Sequence, residues 1–144
     1  MPFSSYLATR TLNWLRGVAN GASTGMPSAP GTLYISLHSA NPSSAGTTAD
    51  VTTTIASGRG SISASNWSSP TAAASPATGF EISNTAAVSI TSNAIGGATV
   101  TNFGIWDSAT GGNFLEYGSL NNPLTVVAGD TVSFAIGQLI LRHV

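Results

Sequence analysis

Three features of the sequence predict an all-β fold, an antiparallel β-sandwich or its jelly-roll variant, with one helix at the N-terminal end. About eight short apolar stretches are separated at close intervals by Gly, Pro, Asn and Asp turn signals, the spacing expected of a sandwich. Only 6% of the 144 residues are charged, lysine is absent, and Gly, Ser and Thr are abundant, which suits strands and turns. One stretch, 98–120, reads as a complete β-hairpin: Phe103 and Ile105 share one face and Val100 and Trp106 the other. The pattern breaks over Asp107-Ser108-Ala109-Thr110-Gly111-Gly112 and resumes at Phe114, Leu115 and Tyr117. Gly111 and Gly112 suit the positive φ of a tight reversal, and Asp107 can accept from backbone N–H groups two residues on. Apolar residues on both faces mark strands that are covered on both sides.

The helix is expected over 5–20. Ser4 or Ser5 can cap it and Phe3 can staple onto the first turn, while Leu7, Ala8, Thr11, Leu15 and Val18 recur at helical spacing with Trp14 at the margin. Arg10, Asn13, Arg16 and Asn20 fall opposite, and Asn20-Gly21 is a left-handed stop. The sandwich is expected over about 31–144, as part of a single domain spanning 1–144. Its first strand, 31–38, points Leu33, Ile35 and Leu37 to the core and Tyr34, Ser36 and His38 away. His38 then has a solvated or backbone-bonded role.

Residues 43–76 are poor in large apolar side chains, and the expectation is a long surface arm carrying one strand at 61–66, reached through a turn at Gly58-Arg59-Gly60. Trp67 within the arm would be exposed, where tryptophan is more useful at an interface than in water. Trp67, Arg59 and Trp14 are therefore the candidate interface residues. Two short strands at 80–82 and 87–90 follow, or one strand bent at Asn84-Thr85, and after the hairpin a turn at Asn121-Asn122-Pro123, a strand at 124–127, a turn at 128–130, and strands at 131–137 and 139–141. The alternation places Leu33, Ile35, Leu37, Phe103, Ile105, Phe134 and Ile136 in the core.

Charge and composition exclude several classes. The net charge is −1 and the four arginines are scattered, so no phosphate-tracking groove is expected and nucleic acid is set aside. Without cysteine there is neither a disulfide framework nor a thiolate metal site. No run approaches the ~20 apolar residues of a membrane span, and the first residues lack the pattern of a signal peptide, so no membrane association is expected. Catalysis is not expected either. The five carboxylates Asp50, Glu81, Asp107, Glu116 and Asp130 show no pairing, no G-x-S-x-G elbow occurs, and Gly96-Gly97 and Gly111-Gly112 lack the lysine and helix of a phosphate loop. The segment 107–113 has one carboxylate and no bidentate glutamate, too little for a tight calcium loop. No metal and no cofactor are expected.

The segments PGTLYISLHSANP (30–42), FGIWDSATGGNFLEYGSL (103–120) and GDTVSFAIGQLIL (129–141), after YLATRTLNWLRG (6–17), resemble a family of small tailed-phage virion proteins often labelled tail fibre proteins. The resemblance implies a β-sandwich without enzymatic activity and a structural place in the virion, and it carries no functional residues over. Two virion roles follow. A capsid decoration or cement protein would sit on the outer capsid surface, bound to capsid protein and stabilising the shell; a tail fibre or baseplate component would bind tail proteins instead. Long fibres show repeats or heptads, which this chain lacks, and this favours the compact cement role. A homo-oligomer is expected, a trimer matching local three-fold positions of a shell. A carbohydrate-binding sandwich module is the third reading, with Trp67 and Trp106 as its only aromatic candidates near loops.

Overall fold

The computed structural model describes residues 4, 6, 7, 11, 12, 15, 30–76, 78–91 and 96–143. Among the described residues, nine strands form three antiparallel sheets, in agreement with the expected all-β fold. The largest sheet has the order β2-β1-β6-β7, built from β1 (Thr32–His38), β2 (Gly60–Ser63), β6 (Ala98–Trp106) and β7 (Phe114–Val126). A second sheet runs β3-β4-β9, from β3 (Thr71–Ala72), β4 (Phe80–Ser83) and β9 (Ile140–His143), and a third pairs β5 (Val88–Ile90) with β8 (Val132–Phe134).

The hairpin expected over 98–120 forms the centre of the large sheet, with Phe103 opposite Gly118 and Ile105 opposite Glu116. Its second strand is longer than expected, because Asn121-Asn122-Pro123 does not end it. Between Val100↔Leu124 and Asn102↔Ser119, two steps along β6 correspond to five along β7, so residues 120–123 bulge out of the ladder and pairing then resumes. Proline fits there because a bulge needs no N–H donor.

Ile35, Leu37, Phe103 and Ile105 lie on one face of the large sheet and join Val88, Ile90, Val132, Phe134, Leu139 and Leu141 of the other sheets in one buried cluster, with Leu33 packed half-buried against it. Ile136 is not part of it. It is 67% exposed, because β8 ends at Phe134 and the chain turns over 135–138. Asn84 clips this turn to β4: its Oδ1 accepts the Leu139 N–H at 2.9 Å, and its Nδ2 donates to the carbonyls of Ala86 and Ala135 at 2.8 and 2.9 Å. A fully buried asparagine is tolerable because its amide is satisfied on both sides.

The 43–76 segment is less of a surface arm than its composition suggests. It contains β2, β3 and a short helix, α1 (Thr52–Ile55), and puts Ile55, Ala56 and Ile62 into the core. The expected strand over 61–66 is confined to β2, and 64–66 form a 3-10 turn. Where β2 stops pairing at Ile35, residues 49–52 take over the edge of β1. Val51 N–H donates to the Leu37 carbonyl at 2.9 Å, Ser39 N–H to Ala49 O at 3.0 Å, and Leu37 N–H to Thr52 Oγ1 at 2.8 Å.

At the N-terminal end, Tyr6, Leu7, Thr11, Leu12 and Leu15 are helical. Ser4 caps them as expected, its Oγ accepting the Leu7 N–H at 3.2 Å, and it ties the helix to β7 by donating to the Phe114 carbonyl at 2.5 Å. Leu15, expected on the buried face, is 68% exposed, and Leu12 is 60% exposed. Phe3, Trp14 and the stop at Asn20-Gly21 lie outside the described residues.

Candidate functional site

His38 makes the backbone bond expected of it, but its burial departs from the sequence reading. It is fully buried along with Ser36, although both alternate away from the apolar core. The 39–50 loop folds back across this face, and Gly46, at φ +74°, lies so close to Phe114 that a Cβ would sit 2.5 Å from its ring. From below, a Cβ on Gly104 would meet the same ring at 2.6 Å. The polar groups satisfy one another in a fixed direction. The Thr48 carbonyl can only accept, so His38 Nδ1–H donates to it at 2.9 Å, which leaves Nε2 to accept from Ser36 Oγ at 2.7 Å. Ser36 in turn accepts from Trp106 Nε1–H at 2.9 Å. Burial lowers the His38 pKa, in keeping with this neutral tautomer. A serine beside a histidine acceptor has the geometry of a nucleophile and its base, but with both side chains sealed from solvent it fastens the loop to the sheet.

Arg59, a candidate interface residue, is committed internally. Its guanidinium lies 3.6 Å from the Trp106 ring centroid and donates to the Ser108 and Gly111 carbonyls at 2.8 Å each. Asp107 closes the same tip by accepting from Asn113 N–H and Nδ2, each at 2.7 Å, six residues on rather than two. Trp67, the second candidate, is half-buried against the core; it bridges to Asn84, and its indole N–H has no partner among the described residues. Trp14 lies outside the described residues. The three candidates are thus not brought together on a described surface.

Glu116 is buried on the core side, and its Oε2 meets His143 Nε2 of β9 at 3.2 Å. Burial pushes the Glu116 pKa up to about 8 and lowers that of His143. Shifts in these opposite directions leave both groups uncharged near neutrality, so the contact is a neutral hydrogen bond between two sheets.

The open site is a polar groove beside the β7 bulge. Two adjoining cavities of about 360 and 370 Å³ share Asn121 and Gln138. Asn41, Asn102, Tyr117 and Ser119 line the first, the β7 bulge lines the second, and Arg142, the only charge among the described lining residues, is held by Glu81 Oε2 at 2.6 and 2.8 Å.

Among protein families, the model of Podophage GP4 fiber I protein gp80 matches residues 2–142. The chain belongs to this family. Among curated proteins, none matches it. Membership of the gp80 fibre family makes the chain a phage fibre-type structural protein, in line with the resemblance seen in the sequence. Within this gp80-type chain, sequence reasoning missed the Ser36–His38–Thr48 chain, the Glu116–His143 contact and the groove amides. All three depend on pairings 10 or more residues apart or on loop closure. The one local signal was Asn-rich sequence around 121–122, which reads equally well as a turn.

Proposed function

We propose that the chain is a non-enzymatic fibre component of a tailed-phage virion, joined to tail proteins. The observation that carries this reading is the gp80 family match over 2–142, which favours the tail fibre alternative over the capsid decoration role expected from compactness. Scarce charge, at 6% of residues, supports a surface that ends against other protein. The exposed Leu12 and Leu15, one helical turn apart, support attachment through the N-terminal helix. The trimer expected from the sequence belongs to this proposal, since closed rotational symmetry is the usual way identical chains assemble. Its solution mass should be three times the 14.4 kDa of one chain. The deciding experiment is particle reconstruction with and without the protein. Density should be lost from the tail; loss from the shell would restore the decoration reading.

A further inference from the structure

We propose that the groove beside the β7 bulge is a binding site for a neutral oligosaccharide whose acetamido carbonyls and hydroxyls act as hydrogen-bond acceptors. Two of the groove amides are already engaged through their oxygens. Asn41 Oδ1 accepts the Ser43 N–H at 2.8 Å and Gln138 Oε1 accepts the Ala135 N–H at 2.9 Å. A backbone N–H can only donate, so each oxygen is fixed inward and each NH₂ group is turned outward. Asn102 Oδ1 accepts from Thr101 Oγ1 at 2.8 Å, but a hydroxyl can also accept, so this bond does not fix the direction of the amide. None of the three NH₂ groups bonds within the described residues. The groove therefore presents preoriented donors whose rotation is already restricted, the condition under which polar groups add affinity at low entropic cost.

The occupant must supply acceptors and carry little charge. An anionic polymer would need unpaired cations, yet Arg142 is committed to Glu81. An added peptide strand is the competing occupant, since β7 is an edge strand and Phe103, Ile140, Leu124 and Phe134 also line the two cavities; the outward amide donors and the half-buried ring of Tyr117 favour a sugar. A pyranose ring offers acceptors around its rim and an apolar face for Tyr117. The two adjoining cavities, of about 360 and 370 Å³, provide consecutive subsites. The proposal concerns the isolated chain and holds whether the protein sits in the tail or on the shell.

The test is a titration of the isotope-labelled protein with triacetylchitotriose, followed by amide chemical shifts. Saturable changes should be confined to the groove, and cellotriose, which lacks the acetamido groups, should bind more weakly. Asn41→Asp and Gln138→Glu keep the oxygen that each backbone N–H requires and replace only the outward NH₂. Each should weaken binding at least about tenfold with an unchanged melting temperature. Asn121→Ala, at an exposed position, provides the same comparison if either carboxylate variant fails to fold. No saturable shift up to about 10 mM, or unchanged affinity in the variants, would overturn the proposal. An equal response to a Gly-Ser hexapeptide would overturn it in favour of a protein segment.

Discussion

The two faces of the β1-β6-β7 sheet are both buried but are held by different physics. One carries Ile35, Leu37, Phe103 and Ile105 into a cluster shared by the other sheets. The other carries Ser36, His38 and Trp106, each bonded to the next, under the 39–50 loop. The apolar face needs only shape and area. The polar face needs every donor to find its acceptor, since an unmet buried group costs about 1–3 kcal/mol. The first tolerates repacking, whereas the second depends on a loop staying closed.

The largest effect should come from the apolar face. Phe103→Ala removes a ring that is 1% exposed and should lose about 3–5 kcal/mol in a denaturant titration; a change under about 1 kcal/mol would show that this face is not the organising core. On the polar face, His38→Ala leaves the Thr48 carbonyl unmet and opens a void, for an expected loss of about 2–3 kcal/mol. Hydrogen exchange should then rise across 39–50 while β6 stays protected. Equal loosening of both faces would erase the distinction between them.

The core side includes one titratable group, which gives a pH test. Glu116 titrates at about 8 when folded against a usual 4.5, so folding takes up a proton between those values. Its stabilisation is complete below about 4.5 and is lost as pH rises toward 8. His38 and His143, lowered by burial, act in the opposite sense below 6.5, so the window from 6.5 to 8 isolates Glu116. Stability should fall there by roughly 2 kcal/mol, at about 1.4 kcal/mol per unit, and Glu116→Gln should flatten the slope. The smallest effect is at the hairpin tip: Arg59→Lys keeps the charge but loses the planar stack and one of two carbonyl bonds, for about 1 kcal/mol. Thermal melts that do not distinguish Arg59→Lys from wild type would show that Asp107 alone holds the tip.

The same comparison explains how far the fold was legible. Alternation along β1 and β6 correctly paired Ile35 with Leu37 and Phe103 with Ile105, because period-two burial is written locally. It also sorted Ser36 and His38 correctly onto the opposite face but read polarity as exposure, and no local pattern announces that a loop will return over a strand. Ile136 continued an alternation that the chain abandoned for a turn, and Leu15 fitted a helical stripe that the sheet does not cover. The hairpin tip was legible through its glycines, whereas its clamp, Arg59, comes from 49 and 52 residues away. Arg59 and Trp67 were chosen as chemistry in search of a partner, and the fold supplies partners inside the chain.

Ser4 reaches across 110 residues to the Phe114 carbonyl, and β1 pairs with β6 across 64 to 72 residues. During synthesis, the helix and β1 therefore emerge long before the strands that receive them. Loop-closure entropy must be met before these contacts give any return, so folding should wait for the hairpin and then proceed slowly, on the millisecond-to-second scale of non-local β topologies. Until then the leucines of the helix and the edge of β1 are open to neighbouring chains on the same message. The order of emergence then sets the balance between folding and aggregation.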